Sequence, residues 1–95
     1  MGQVEQDASF IIRSPNRIKV VDRLSKGTAM PTQIRDSTGQ EYSRITEALN
    51  SLRENNLVKL IVDEETKRGR LYTLTERGRK AWEFINENNM VQNNS

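Results

Sequence analysis

PTQIRDSTGQEYSRITEALNSLRENN, residues 31–56, reads as two helical segments with a short turn between them. Pro31 suits the first position of a helix, where its missing N–H costs nothing. The segment it opens, TQIRDS, is short, with Ile34 as its inward anchor. Thr38 and Glu41 stand three residues apart in TGQE. That is the spacing of a capping box, in which each side chain satisfies a free backbone N–H at a helix start. From there Tyr42, Ile45, Leu49 and Leu52, with Ala48, form one apolar stripe at helical spacing. Asn55-Asn56 closes the segment, because asparagine tolerates a left-handed turn.

Only the few residues around Ser37–Gly39 separate the two helices. This is the spacing of a helix-turn-helix, whose second helix enters the major groove of DNA. With the stripe buried, Ser43, Arg44, Glu47 and Asn50 face outward. Arg can pair with guanine, Asn with adenine, and Ser with a base or a phosphate. Gln40 and Glu41 sit at the helix start, where exposed N–H groups favour phosphate. An ordinary polar helix face gives the same pattern, and Arg44 with Glu47 at i,i+3 can be a simple ion pair.

Upstream, residues 1–9 are expected to form a disordered lead. FIIR (10–13) is expected as a strand or an extra helical turn. Ser14 can cap a helix whose first residue is Pro15. Ile18, Val21 and Leu24 follow at helical spacing, and Lys26-Gly27 stops the run. Thr28–Met30 is a brief extended link. Downstream, LVKLIV (57–62) and RLYTLT (70–75) read as two strands of a hairpin around the polar loop 63–69. Leu71 and Thr73 lie on one face of the second strand, Tyr72 and Leu74 on the other. Thr75 can cap a last helix that carries Ala81, Trp82 and Ile85. The domain is expected over 10–86, with a polar, disordered tail over 87–95.

The chain has 95 residues, which sets one domain as the expectation. It has no Cys and no His. Disulfides, zinc sites built on those ligands, and His or Cys catalysis are excluded. No spacing recommends the remaining acids, lysines and hydroxyls as a catalytic set, so no enzyme is expected and no cofactor is implied. The longest apolar runs, FII and LVKLIV, fall far short of a membrane span, and the opening MGQVEQDASF lacks a signal-peptide pattern. A cytoplasmic protein with no membrane partner is expected.

Net charge is +2, but it is unevenly placed. All 15 Lys and Arg lie within 13–80 beside nine acids, which leaves that stretch at +6. The flanking ends carry acids and no bases. A basic centre suits an anionic partner, and an ordinary solvated surface can also have this balance.

The set SPNRIKVVDRLSKG, MPTQIRDSTG, QEYSRITEALNSLRENNLV and KRGRLYTLTERG resembles the winged helix-turn-helix transcriptional regulators of the MarR/ArsR-like group, particularly small archaeal ones. The resemblance covers roughly residues 10–83. It implies a mainly α fold with a small β-hairpin wing: a three-helix core, the wing and a C-terminal helix. It implies double-stranded DNA as the partner, with helix 39–54 in the major groove. Thr32 and Gln33, at the start of the second helix, would anchor a phosphate. Lys67, Arg68 and Arg70 at the wing tip would reach a phosphate or the minor groove, whose narrow stretches attract Arg. Three wing acids, Asp63, Glu64 and Glu65, balance those cations, and a solvated hairpin would use such charges to resist edge pairing. Relatives commonly dimerise through terminal helices, which points to a homodimer through Trp82, Phe84 and Ile85, with Phe10–Ile12 beside them. Packing on the domain's own first helix is the simpler use of these side chains.

The expected function is sequence-specific transcriptional regulation, with repression by operator occlusion as the default. The alternative is a winged-helix protein–protein interaction module in a transcription-related assembly. No effector ligand is named by the sequence.

Overall fold

The computed structural model describes residues 2–62 and 70–91. In chain order the elements are α1 (Gln3–Ile12), α2 (Pro15–Ser25), α3 (Pro31–Thr38), α4 (Tyr42–Glu54), β1 (Val58–Val62), β2 (Arg70–Leu74) and α5 (Glu76–Glu87). Among the described residues, no helix is long and apolar enough to cross a membrane.

The expected caps explain α2 and α5. Ser14 Oγ accepts the Arg17 N–H at 3.3 Å, and Pro15 follows at the first helical position. Thr75 Oγ1 accepts the Gly78 N–H at 3.1 Å and donates to the Asn56 carbonyl at 2.7 Å. One hydroxyl therefore starts α5 and ties it to the end of α4. Asn56 takes the left-handed conformation expected of it, at φ 60°.

Residues 3–9 differ from the expected disordered lead. They form the first turns of α1, which continues through the FII run to Ile12. Ala8 and Ile11 are fully buried, and Val4 packs against the same core. These three positions follow helical spacing, so one apolar stripe docks α1 on the domain. Asp7 is buried beneath it, and both its oxygens accept from Arg77 of α5, at 2.9 and 3.1 Å. Gln3 Nε2 adds a third bond to Asp7 at 3.0 Å. A carboxylate buried this way is tolerated because it is paired and hydrogen-bonded.

The expected capping box at 38–41 is absent. Thr38 is the last residue of α3, and its hydroxyl donates to the Ile34 carbonyl at 2.8 Å. Gly39, at φ 75°, provides the left-handed turn that ends α3, and its N–H donates to the Arg35 carbonyl at 2.8 Å. Glu41 caps α4 through its backbone alone. The chain needed a helix stop at this point before it could make a new start, and glycine supplied the stop.

The hairpin is antiparallel, with Val58 opposite Leu74, Leu60 opposite Tyr72, and Ile61 opposite Leu71. Val58, Tyr72 and Leu74 face the core, and Lys59 and Ile61 face out. The link between α2 and α3 joins the hairpin: Ala29 and Tyr72 exchange backbone hydrogen bonds of 3.1 and 2.9 Å. The core gathers Val20, Val21, Leu24, Ile34, Ile45, Leu49 and Leu52 with Leu57, Leu74 and Ile85. Each fully buried aliphatic side chain contributes about 1.5–3 kcal/mol. That core fixes α3 and α4 against α2 and the hairpin.

Candidate nucleic-acid interface

Three residues, Gly39 to Glu41, join α3 to α4. Ile34, Ile45, Ala48, Leu49 and Leu52 are buried, so the turn is locked from the inside. The remaining faces of α4 look outward. At about 100° per residue, Ser43, Asn50, Glu47 and Glu54 fall along the middle of the outward arc. Arg44 and Tyr42 lie on its two edges, about 200° apart.

Ser43, Arg44, Glu47 and Asn50 are all exposed, as the apolar stripe required. Among the described residues, their side chains take part in no hydrogen bond or ion pair. Arg44 and Glu47 therefore do not form the simple i,i+3 pair. Both line a cleft of about 230 Å³ with Ser14, Asn16 and Arg17 at the start of α2. Arg44 thus belongs to the α2 side of the arc. Arg17 is committed elsewhere: it donates to the Phe10 carbonyl at 2.7 Å and to Ser51 Oγ at 3.3 Å, and its guanidinium stacks 3.9 Å from the Phe10 ring centre. It clamps α1, α2 and α4 together.

Gln40 is not on the outward face. It is 7% exposed and points back toward α2, where its Nε2 donates to the carbonyl and the Oδ1 of Asn16, each at 3.1 Å. The α3 stop at Gly39 turns the next side chain inward, so Gln40 pins the turn to α2. Its Oε1 is buried with no partner among the described residues.

Thr32 and Gln33 are exposed at the start of α3. Gln33 Oε1 accepts the Met30 N–H at 2.8 Å, so this side chain caps its own helix. Arg35 and Asp36 form an exposed pair at 3.5 Å, an arrangement that contributes little. Arg70 is exposed at the start of β2. Lys67 and Arg68, with the rest of loop 63–69, lie outside the described residues.

The candidate dimer residues separate. Ile85 is fully buried in the domain's own core. It occupies the middle of the α5 stripe, between Ala81 and the α1 contact, and presents nothing to a partner. Trp82 and Phe84 flank that stripe, half-buried. Trp82 lines a groove of about 350 Å³ with Pro15, Ile18, Asn86 and Val91. Phe84 lines a cleft of about 550 Å³ on the other side, with Phe10, Arg13 and Met90.

Two features escaped the reading of the sequence. Tyr42 was expected in the buried stripe but is 47% exposed. Its position on the wheel, at the edge of the stripe, carried the signal. Arg77, for which the sequence suggests no role, pairs with Asp7. The hydrogen bonds that Arg77 donates to Asp7, aided by the carboxylate's charge, raise the Arg77 pKa above its ordinary value. No local signal could show a partner 70 residues away.

No protein-family model matches the sequence, and no curated protein sequence does either. Solved structures match the fold. The reduced form of the transcriptional regulator YodB from B. subtilis is 23% identical, with a TM-score of 0.79 over 95% of this chain and 89% of that one. A MarR-family transcriptional regulator from Enterococcus faecalis is 20% identical, with a TM-score of 0.78 over 87% of this chain and 76% of that one. A variant of Lactococcus lactis ZitR is 20% identical, with a TM-score of 0.70 over 81% of this chain. The chain spans 53% of ZitR's length. At these identities the likeness is one of fold. The chain has the winged-helix fold found in MarR-family regulators.

Proposed function

We propose that this chain is a sequence-specific double-stranded DNA-binding transcriptional regulator. It acts as a repressor by covering its operator, and it works as a homodimer. One observation carries the reading: the outward arc of α4 presents Ser43, Arg44, Glu47 and Asn50 with none of them tied up by described neighbours. Around this arc sit a tight α3–α4 turn and a hairpin, the arrangement that sets a recognition helix in the major groove.

In this reading Ser43 and Asn50 meet base edges. Arg44, on the α2 edge of the arc, reaches guanine or the phosphate beside the groove. Thr32, at the α3 start, meets a phosphate. Arg70 with Lys67 and Arg68 forms the wing contact. Gln40 supports the turn from behind and touches no DNA.

A second reading has its own observation. Glu47 and Glu54 are both exposed near the middle of the same arc, and acidic groups there would suit a protein partner better than phosphate.

Fluorescence anisotropy with labelled random duplex DNA at several salt concentrations separates the two. DNA binding releases counterions, so log affinity falls with log salt by about 0.9 per phosphate neutralised. Alanine at Lys67, Arg68 and Arg70 together weakens binding to every sequence and makes the slope shallower by roughly three. Absence of binding at low salt would sink the DNA reading and favour the protein-interaction module.

A further inference from the structure

Tyr42 stands out among the exposed groups. Only Tyr42 and Ile61 are large hydrophobic side chains with substantial exposure among the described residues. Tyr42 is the first residue of α4, immediately after the turn. Among the described residues its hydroxyl has no hydrogen-bond partner. Ile45, in the same helical stripe, is fully buried, and Tyr42 is 47% exposed.

Its direction follows from helix geometry. Cα–Cβ bonds tilt toward the helix N-terminus, so a side chain at the first position projects past the helix end. In a helix-turn-helix, that end is the one whose residues contact base edges. Tyr42 shares its edge of the arc with Thr46 and Arg53, about 20–40° away on the wheel. The Thr46 hydroxyl is already spent on the Ser43 carbonyl at 2.9 Å. Tyr42 is therefore the aromatic group that this edge offers to the floor of a groove.

We infer that Tyr42 is a specificity-determining residue whose ring packs against the C5-methyl group of one thymine in the major groove. This rests on the DNA-binding reading above. The chemistry is selective, because the thymine methyl is the apolar group that base pairs display in the major groove. A ring contact with it rejects cytosine, which has no such methyl and presents an amino donor. Arg44 lies on the opposite edge of the arc, about 200° around the helix. The two side chains thus read or grip different points of the site.

The test uses the full chain and a duplex selected for tight binding. Each dT is replaced in turn by dU, which removes the methyl and keeps the pairing. One position lowers wild-type affinity about fourfold, the value of one buried methyl-sized group. Tyr42→Ala binds less tightly and shows no further loss at that position. Tyr42→Phe keeps the ring and behaves as the wild type does. Circular dichroism confirms that both variants fold, which exposure of the side chain favours.

Three results would overturn the inference alone: no dU position with an effect, the same dU loss in Tyr42→Ala, or Tyr42→Phe weakened as much as Tyr42→Ala on every sequence. The last would make Tyr42 a phosphate contact through its hydroxyl. Wild-type protein that binds no duplex at any salt concentration would overturn the DNA-binding reading, and this inference with it.

Discussion

A β-carbon on Gly78 would run into the carbonyl oxygen of Leu57, which already accepts the Thr75 N–H at 3.0 Å. The obstacle is backbone, held by the end of α4 on one side and the α5 cap on the other. Neither can move without loosening the Thr75 hydroxyl that links them. Gly78→Ala is therefore expected to destabilise the fold by about 1–3 kcal/mol, the usual cost of overpacking. Urea unfolding checks this: the midpoint falls and the slope stays unchanged. An unchanged midpoint would mean that α5 can shift away at no cost. The sequence showed Thr75 as a cap because capping is a three-residue signal. It could not show the close approach of Leu57, since that distance is set by how α5 lies on the hairpin. Gln40 follows the same rule. Its place in the chain suggested a phosphate contact, and its burial was decided by Asn16, 24 residues earlier. Ser43, Arg44, Glu47 and Asn50 face outward, as the stripe predicts, because helix phase is fixed by their immediate neighbours.

At the scale of elements, α2 to α5 were legible because proline, threonine and asparagine mark most of their ends; the start of α4 was the exception, since the Thr38–Glu41 box does not form. Pro15, Pro31, Gly39, Asn56 and Thr75 punctuate the chain at the observed boundaries, to within a few residues. Helix α1 was not legible. Its sequence is polar, its caps are weak, and its stability comes from what it lies on. Ala8 and Ile11 reach the core, Phe10 stacks under Arg17, and Asp7 receives Arg77. Asparagine at this position keeps one acceptor oxygen but loses the charge, and its NH2 group would face the second guanidinium N–H. Asp7→Asn is expected to loosen α1 ahead of the rest of the domain. Amide hydrogen exchange across 3–12 should quicken, while exchange in α4 stays near the wild-type rate. Equal acceleration in α1 and α4 would show that α1 is part of one cooperative unit and that the pair holds the whole fold.

For the whole molecule, the α5 side carries the aromatic surface that the domain's own core leaves partly uncovered. Trp82 and Phe84 lie on opposite edges of α5 and are only half-buried by the domain's own helices. Trp82 opens onto the groove with Ile18 and Val91, and Phe84 onto the cleft with Phe10 and Met90. Aromatic side chains left partly exposed beside apolar neighbours are the kind that anchor interfaces. Two-fold pairing of this side in the proposed homodimer would place two α4 helices on one face of a duplex. Their half-sites would then lie one helical turn apart, roughly 34–36 Å, in a palindromic operator. Light scattering after size-exclusion chromatography should give twice the chain mass of 11.0 kDa. Trp82→Gln should shift the equilibrium toward monomer and weaken binding to a full palindrome far more than to a half-site. The two losses belong together, because a monomer cannot engage both half-sites at once. A wild-type protein that stays monomeric at concentrations where it saturates DNA would remove the dimer from the proposal. Trp82 and Phe84 would then serve only as the flanks of the core.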